Sequence, residues 1–134
     1  INWLKESDEV YYSNSKIPMI SKKEINFLVN KSKSNSRKRC RVCLHNNTNE
    51  VSQEMFIVHL NECYVRPHKH IDKVESMLVI EGNADAIIFD DNGKVFMKIE
   101  LSNFESGKNF FYRIPKNTFH MLIIHSEYFV FKEK

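Results

Sequence analysis

A chain of 134 residues, 42% hydrophobic and 28% charged, has the length of one domain with one core and the composition of an ordinary globular protein. Twenty Lys and Arg against 17 Asp and Glu leave a net charge of +3, too mild by itself to argue for a nucleic-acid partner. No apolar run approaches the ~18 residues needed to span a bilayer, and the opening INWLKESDEV lacks the apolar stretch of a secretory signal. The expectation is therefore a cytoplasmic protein without a membrane partner, its three cysteines (Cys40, Cys43 and Cys63) reduced.

In chain order, residues 1–20 mix aromatic and polar side chains without a period, and Pro18 stops any helix there. Ser21 with Glu24 three residues on is a capping box. Ile25, Leu28 and Val29 then fall at i, i+3, i+4 and predict a short amphipathic helix over about residues 22–33. After the loop SKSNS the period changes to about 2. Candidate strands are Lys38–His45, Glu54–Asn61, Glu75–Ile80, Asp85–Asp90, Val95–Leu101, Asn109–Ile114, His120–His125 and Phe129–Lys132, with a hairpin turn at Asp91-Asn92-Gly93. This divides the chain into an N-terminal extension, 1–36, and a mainly β domain, 37–134, expected to be a sandwich or small barrel. Cys40 and Cys43, three apart in a strand, should point to opposite faces, and no second C-x-x-C completes a zinc site.

The chemistry concentrates in RPHKHIDKVESMLVIEG. His68 and His70, at i and i+2 of an extended segment, point to one side. Glu75 opens the next strand on the face of Met77 and Val79. Far off in sequence, His120 heads an apolar strand after the turn Pro115-Lys116-Asn117. Buried imidazoles and carboxylates are costly unless paired. A metal ion held by His68, His70, Glu75 and His120 accounts for all four, whereas any one of these histidines alone would read as a surface or satisfied core residue. Imidazole with carboxylate suits one divalent transition ion, zinc, iron, manganese or nickel.

These residues resemble the two cupin motifs. The first, H-x-H, four residues, Glu, six residues, Gly, is met by His68, His70, Glu75 and Gly82. The second is met by Pro115 and His120, with Asn117 where a glycine usually stands. The chain departs from the pattern at Glu62 and Ile124. RKRCRVCLH, YVRPHKH, ESMLVIEGNADAIIFDDNGKV and IPKNTFHMLI are similar to the WbuC family of cupin metalloproteins. The resemblance implies an RmlC-like jelly-roll β-barrel with a short N-terminal helical segment, one metal site, and a setting in surface-polysaccharide (O-antigen or capsule) biosynthesis. It also implies homodimers.

Around the expected site, Tyr64 and Arg66 lie at i−4 and i−2 to His68, on its face if the strand is regular. Arg39 and His45 share a face of the first barrel strand, with Arg37 beside them and Arg113 before the second motif. Tyr64, Arg66, Arg39 and His45 are the candidate substrate-binding residues, since arginine suits carboxylate or phosphate. His45, Tyr64 and His59 are the candidates for a general base, although His59 alternates out of phase with Phe56, Val58 and Leu60 and is expected on the outer face. RKRCR splits its charges between two faces and lacks interleaved aromatics, so RNA binding is not expected. Two functions stay open: a metal-dependent enzyme acting on a sugar or sugar nucleotide, or a non-catalytic metal-containing module that binds a carbohydrate or metabolite.

Overall fold

The computed structural model describes residues 1–45, 49–50 and 52–134. Helix α1 spans Lys22–Ser34. Its start follows from Ser21 and Glu24: the Ser21 backbone N–H, which has no intrahelical acceptor, donates to Glu24 Oε1 at 2.7 Å. Ile25, Leu28, Val29 and Ser32 bury one stripe. The Ser32 hydroxyl donates to the Leu28 carbonyl at 2.8 Å, so the one polar member of that stripe is satisfied. Asn35 ends the helix. Its amide nitrogen lies 3.1 Å from the Lys31 carbonyl and 2.7 Å from that of Arg39, and its oxygen accepts from the Arg39 N–H at 3.3 Å. One side chain thus fixes the helix end to the first barrel strand.

The strands are β1 (Trp3–Lys5), β2 (Val10–Ser13), β3 (Arg39–Cys43), β4 (Met55–Leu60), β5 (Val65–His68), β6 (Glu75–Glu81), β7 (Ala84–Phe89), β8 (Val95–Leu101), β9 (Phe111–Ile114), β10 (His120–Ile124) and β11 (Tyr128–Glu133). They form a seven-stranded sheet, β1-β2-β3-β4-β11-β6-β9, and a four-stranded sheet, β5-β10-β7-β8. β2 runs parallel to β3; the other pairings are antiparallel. Eight strands answer to the predicted ones, while β1, β2 and β5 are too short for alternation to show. β2 covers the edge that β3 would otherwise expose, and Trp3 and Tyr11 pack on Phe27 of α1.

Both faces of the large sheet are covered. Cys40, Val42, Val58, Leu60 and Val130 point outward, under α1. Cys43, Met55, Ile57, Phe129 and Phe131 point inward, toward Ala86, Leu101, Leu122 and Ile124 of the same core. Cys40 and Cys43 therefore lie in different layers, as their spacing predicts, and all three cysteines are free. Fully burying an aliphatic side chain such as Val42 or Val58 contributes roughly 1.5–3 kcal/mol, so two covered faces give the sheet two cores. Among the described residues no helix is long and apolar enough to cross a membrane.

Candidate metal centre

Three of the four motif residues arrive on three strands. His68 ends β5 and is the register partner of His120, the first residue of β10. Glu75 opens β6. His70 lies beyond β5 and is held through its backbone: the Asn117 N–H donates to the His70 carbonyl at 2.7 Å. Asn117 has φ +63°, the left-handed conformation that asparagine tolerates, so it performs the turn for which the motif ordinarily uses glycine. One ligand atom from each of His68, His70, Glu75 and His120 lies within 4.8 Å of all the others.

The surroundings orient these atoms. His68 Nδ1 lies 3.1 Å from the Arg66 carbonyl and His120 Nδ1 lies 2.9 Å from the Thr118 carbonyl. A carbonyl only accepts, so each Nδ1 carries the proton and each Nε2 offers a lone pair to the centre. Glu75 Oε2 touches His70 Nε2, and His120 Nε2 stands 3.4 Å from Glu75 Oε1. Yet Glu75 Oε2 and His120 Nε2, both sealed from solvent, have no hydrogen-bond partner among the described residues. With neutral imidazoles these are close approaches of two acceptors, and they become charge pairs only when the histidines are protonated. Two unsatisfied buried atoms cost on the order of 1–3 kcal/mol each, and a cation between the four donors removes that cost, so the donor set fits a divalent ion.

Electrostatics agree with a clustered site. Burial pushes Glu75 upward, but its hydrogen-bonding approach to His120 and the imidazoles of His120, His70 and His68 outweigh it and hold the carboxyl below the usual range. Burial lowers His68. His120 would be lowered by burial too, but Glu75 and the Thr118 carbonyl raise it.

The other predicted site residues fare differently. A register shift between β5 and β10 places both Val65 and His68 against the core sheet, so β5 is not regular and the i−4, i−2 argument does not carry over. Tyr64 is 72% exposed, and Arg66 is exposed, its carbonyl serving His68. Arg39 is committed to Glu9, Nε to Oε1 at 2.8 Å, and Arg37 shares that carboxylate at 3.3 Å. His45 is buried edge-on to Tyr12, its Nδ1 3.3 Å from the Glu54 carbonyl. Arg113 is exposed on β9. His59 corrects the expectation of an outer position. It is buried on the inner face, stacked on Phe131 at 5.5 Å and 3.1 Å from Cys63 Sγ. The expectation assumed that the Phe56, Val58 and Leu60 face was the inner one, whereas that face lies under α1.

Three residues escaped the sequence reading. Arg41 sits on the inner face of β3 between Arg39 and Cys43, is exposed, and makes no ion pair with a described residue. Tyr112, inward on β9, is buried with its hydroxyl unpartnered. Burial, then the charges of Glu75 and Glu133, push that phenol far up. Glu133, inward on β11, is pushed up to about 7 by burial and by Glu75. Strand parity could have grouped Tyr112 with Ile114 and Glu133 with Phe131, but not chosen the inner face.

A β-sandwich with strand-end histidines and a glutamate converging between its sheets is a cupin-fold protein with a candidate metal centre. Solved structures support the fold. KdgF from Halomonas sp. superposes with a TM-score of 0.53 at 14% identity, over 71% of this chain and 77% of that one. A cupin 2 conserved barrel domain protein from Rhodopseudomonas palustris gives 0.53 at 12% identity, over 71% and 58%. Procruciferin, an 11S globulin from Brassica napus, gives 0.51 at 20% identity over 60% of this chain, which spans only 20% of that protein. No curated protein matches the sequence. The chain belongs to the family described as Domain of unknown function (DUF6016), which matches residues 20–101.

Proposed function

We propose that this protein is a metal-dependent cupin that binds a small anionic, sugar-like ligand at the His68, His70, Glu75 and His120 centre, and that it acts enzymatically on a sugar or sugar nucleotide in surface-polysaccharide synthesis. The observation that carries the metal reading is the convergence of four ligand atoms within 4.8 Å with two of them unsatisfied. Four protein ligands leave one or two positions of a five- or six-coordinate ion for a ligand oxygen. A bound zinc, iron, manganese or nickel ion supplies Lewis-acid polarisation of that oxygen. The polysaccharide setting rests on the similarity of the motif segments to the WbuC family.

Arg41 favours an anionic ligand. Arg37 and Arg39 share the Glu9 carboxylate, while Arg41 stands exposed on the inner side of β3, where it acts electrostatically on both His59 and Glu133. A guanidinium at that place with no ion pair among the described residues suits a carboxylate or phosphate. Arg66, exposed beside His68, is the second candidate. His59 is unsuited to general-base work because its Nδ1 is engaged with Cys63 and burial disfavours its protonated form.

Calorimetric titration of sugar nucleotides and acidic sugars into metal-loaded protein tests this reading. Arg41→Ala should weaken binding about tenfold or more, the loss expected for a charge-assisted hydrogen bond, with metal content unchanged. Equal affinity of the metal-loaded and metal-free forms would move the protein to the binding-module class, with a structural ion.

A further inference from the structure

Tyr112, Met77 and Glu133 are register partners across β9, β6 and β11, in one row on the inner face and one step from Glu75. The Tyr112 hydroxyl is sealed from solvent and has no hydrogen-bond partner among the described residues, and the charges of Glu75 and Glu133 both act on it. A buried hydroxyl without a partner is a cost that a phenylalanine would avoid. The inner face beside the metal centre thus carries a hydroxyl that can donate and accept, together with two carboxyl groups, Glu75 and Glu133. Arg41, which makes no ion pair among the described residues, lies on β3, with β4 between it and Glu133 of this row.

Resting on the metal reading above, we propose that Tyr112 and Glu133 form a hydroxyl-binding subsite beside Glu75, so that the ligand enters with its uncharged polyol portion toward Tyr112 and its anionic group toward Arg41. The chemistry dictates this polarity. A carboxylate only accepts, so it can use the phenol O–H but offers no proton to the oxygens of an ionised Glu133. A sugar hydroxyl can donate to a carboxylate and accept from the phenol, which satisfies the orphaned group. Sites built around a buried hydrogen-bonding group reject ligands that lack the matching group more strongly than apolar sites do. The subsite therefore selects hydroxylated acids over plain dicarboxylates of the same charge.

The test uses three probes, a hexuronate, the corresponding neutral hexose and succinate, titrated into metal-loaded wild type and Tyr112→Phe. Metal content and the thermal midpoint of the metal-free form are measured for both. The expected result is hexuronate binding to wild type at least tenfold tighter than succinate or the hexose. Tyr112→Phe should lose about tenfold for hexuronate, keep its metal, and show an equal or higher metal-free midpoint. Succinate binding as tightly as hexuronate, no hexuronate binding to wild type, an unchanged hexuronate affinity in Tyr112→Phe, or a clear fall of the metal-free midpoint each overturns the subsite. Wild type that takes up no metal defeats the metal reading instead, and the Tyr112→Phe comparison in metal-free protein then still decides the subsite.

Discussion

His59 shows how one residue ties the inner core to pH. Burial, followed by the charges of Arg39, Arg41 and His68, lowers it to about 3, so the folded protein holds it neutral. The unfolded chain protonates it near 6.5. Between those values the unfolded state binds a proton that the native state does not, so this contribution is unchanged above about pH 6.5 and stability falls as pH drops toward 3. By pH 4.5 the loss from this one group is about 3 kcal/mol. His59→Gln should therefore shrink the difference in unfolding free energy between pH 7 and pH 4.5 by roughly 2–3 kcal/mol, measured by urea denaturation at each pH. An unaltered difference would show that His59 is protonated in the native state. At this scale the convergence of the four side chains was legible, because His68, His70 and Glu75 are close in sequence and His120 heads an apolar strand after a turn. The inner position of His59 and the roles suggested for Arg41 and Tyr112 were not. Parity groups residues into two faces, and with both faces apolar it does not say which one looks into the cup.

At the level of elements, the turns show where space matters more than conformation. Gly82, between β6 and β7, has φ +92°, and a Cβ there would come 2.5 Å from the Tyr128 carbonyl oxygen and 2.6 Å from Ser126 Oγ. Gly93, in the β7–β8 hairpin, has φ +79° but would meet nothing within 4 Å. Alanine at Gly93 should cost roughly 1–2 kcal/mol, the penalty of a left-handed backbone. At Gly82 the Tyr128 backbone must also move, so Gly82→Ala should cost clearly more, and comparable losses in the two variants by thermal unfolding would contradict the crowding argument. The hairpin at 91–93 and helix α1 were legible because turn chemistry and capping are local. β5 was not: the shift that puts Val65 and His68 together against β10 is a property of the pairing, which alternation along one strand does not contain. β1 and β2 escaped for a related reason, since three or four residues carry no period and their place is set by docking on β3 and α1.

For the molecule as a whole, the change of hydrophobic period near residue 37 and the two motifs made the cupin sandwich legible, while the continuation of its large sheet through β2 and β1 needed the structure. β5, β6, β10 and the segment after β5 bring three imidazoles and one carboxylate together, a frame proposed to hold a metal ion. Such an ion binds only the folded state and should raise its stability by mass action. The direct measurement is the metal content of untagged protein by elemental mass spectrometry, beside His68→Ala/His70→Ala, with thermal unfolding of both before and after chelation. The account predicts about one equivalent of a divalent transition metal in wild type, loss of that metal and a lower midpoint on chelation, and neither metal nor any effect of chelation in the double variant. The same metal content in wild type and the double variant would contradict it.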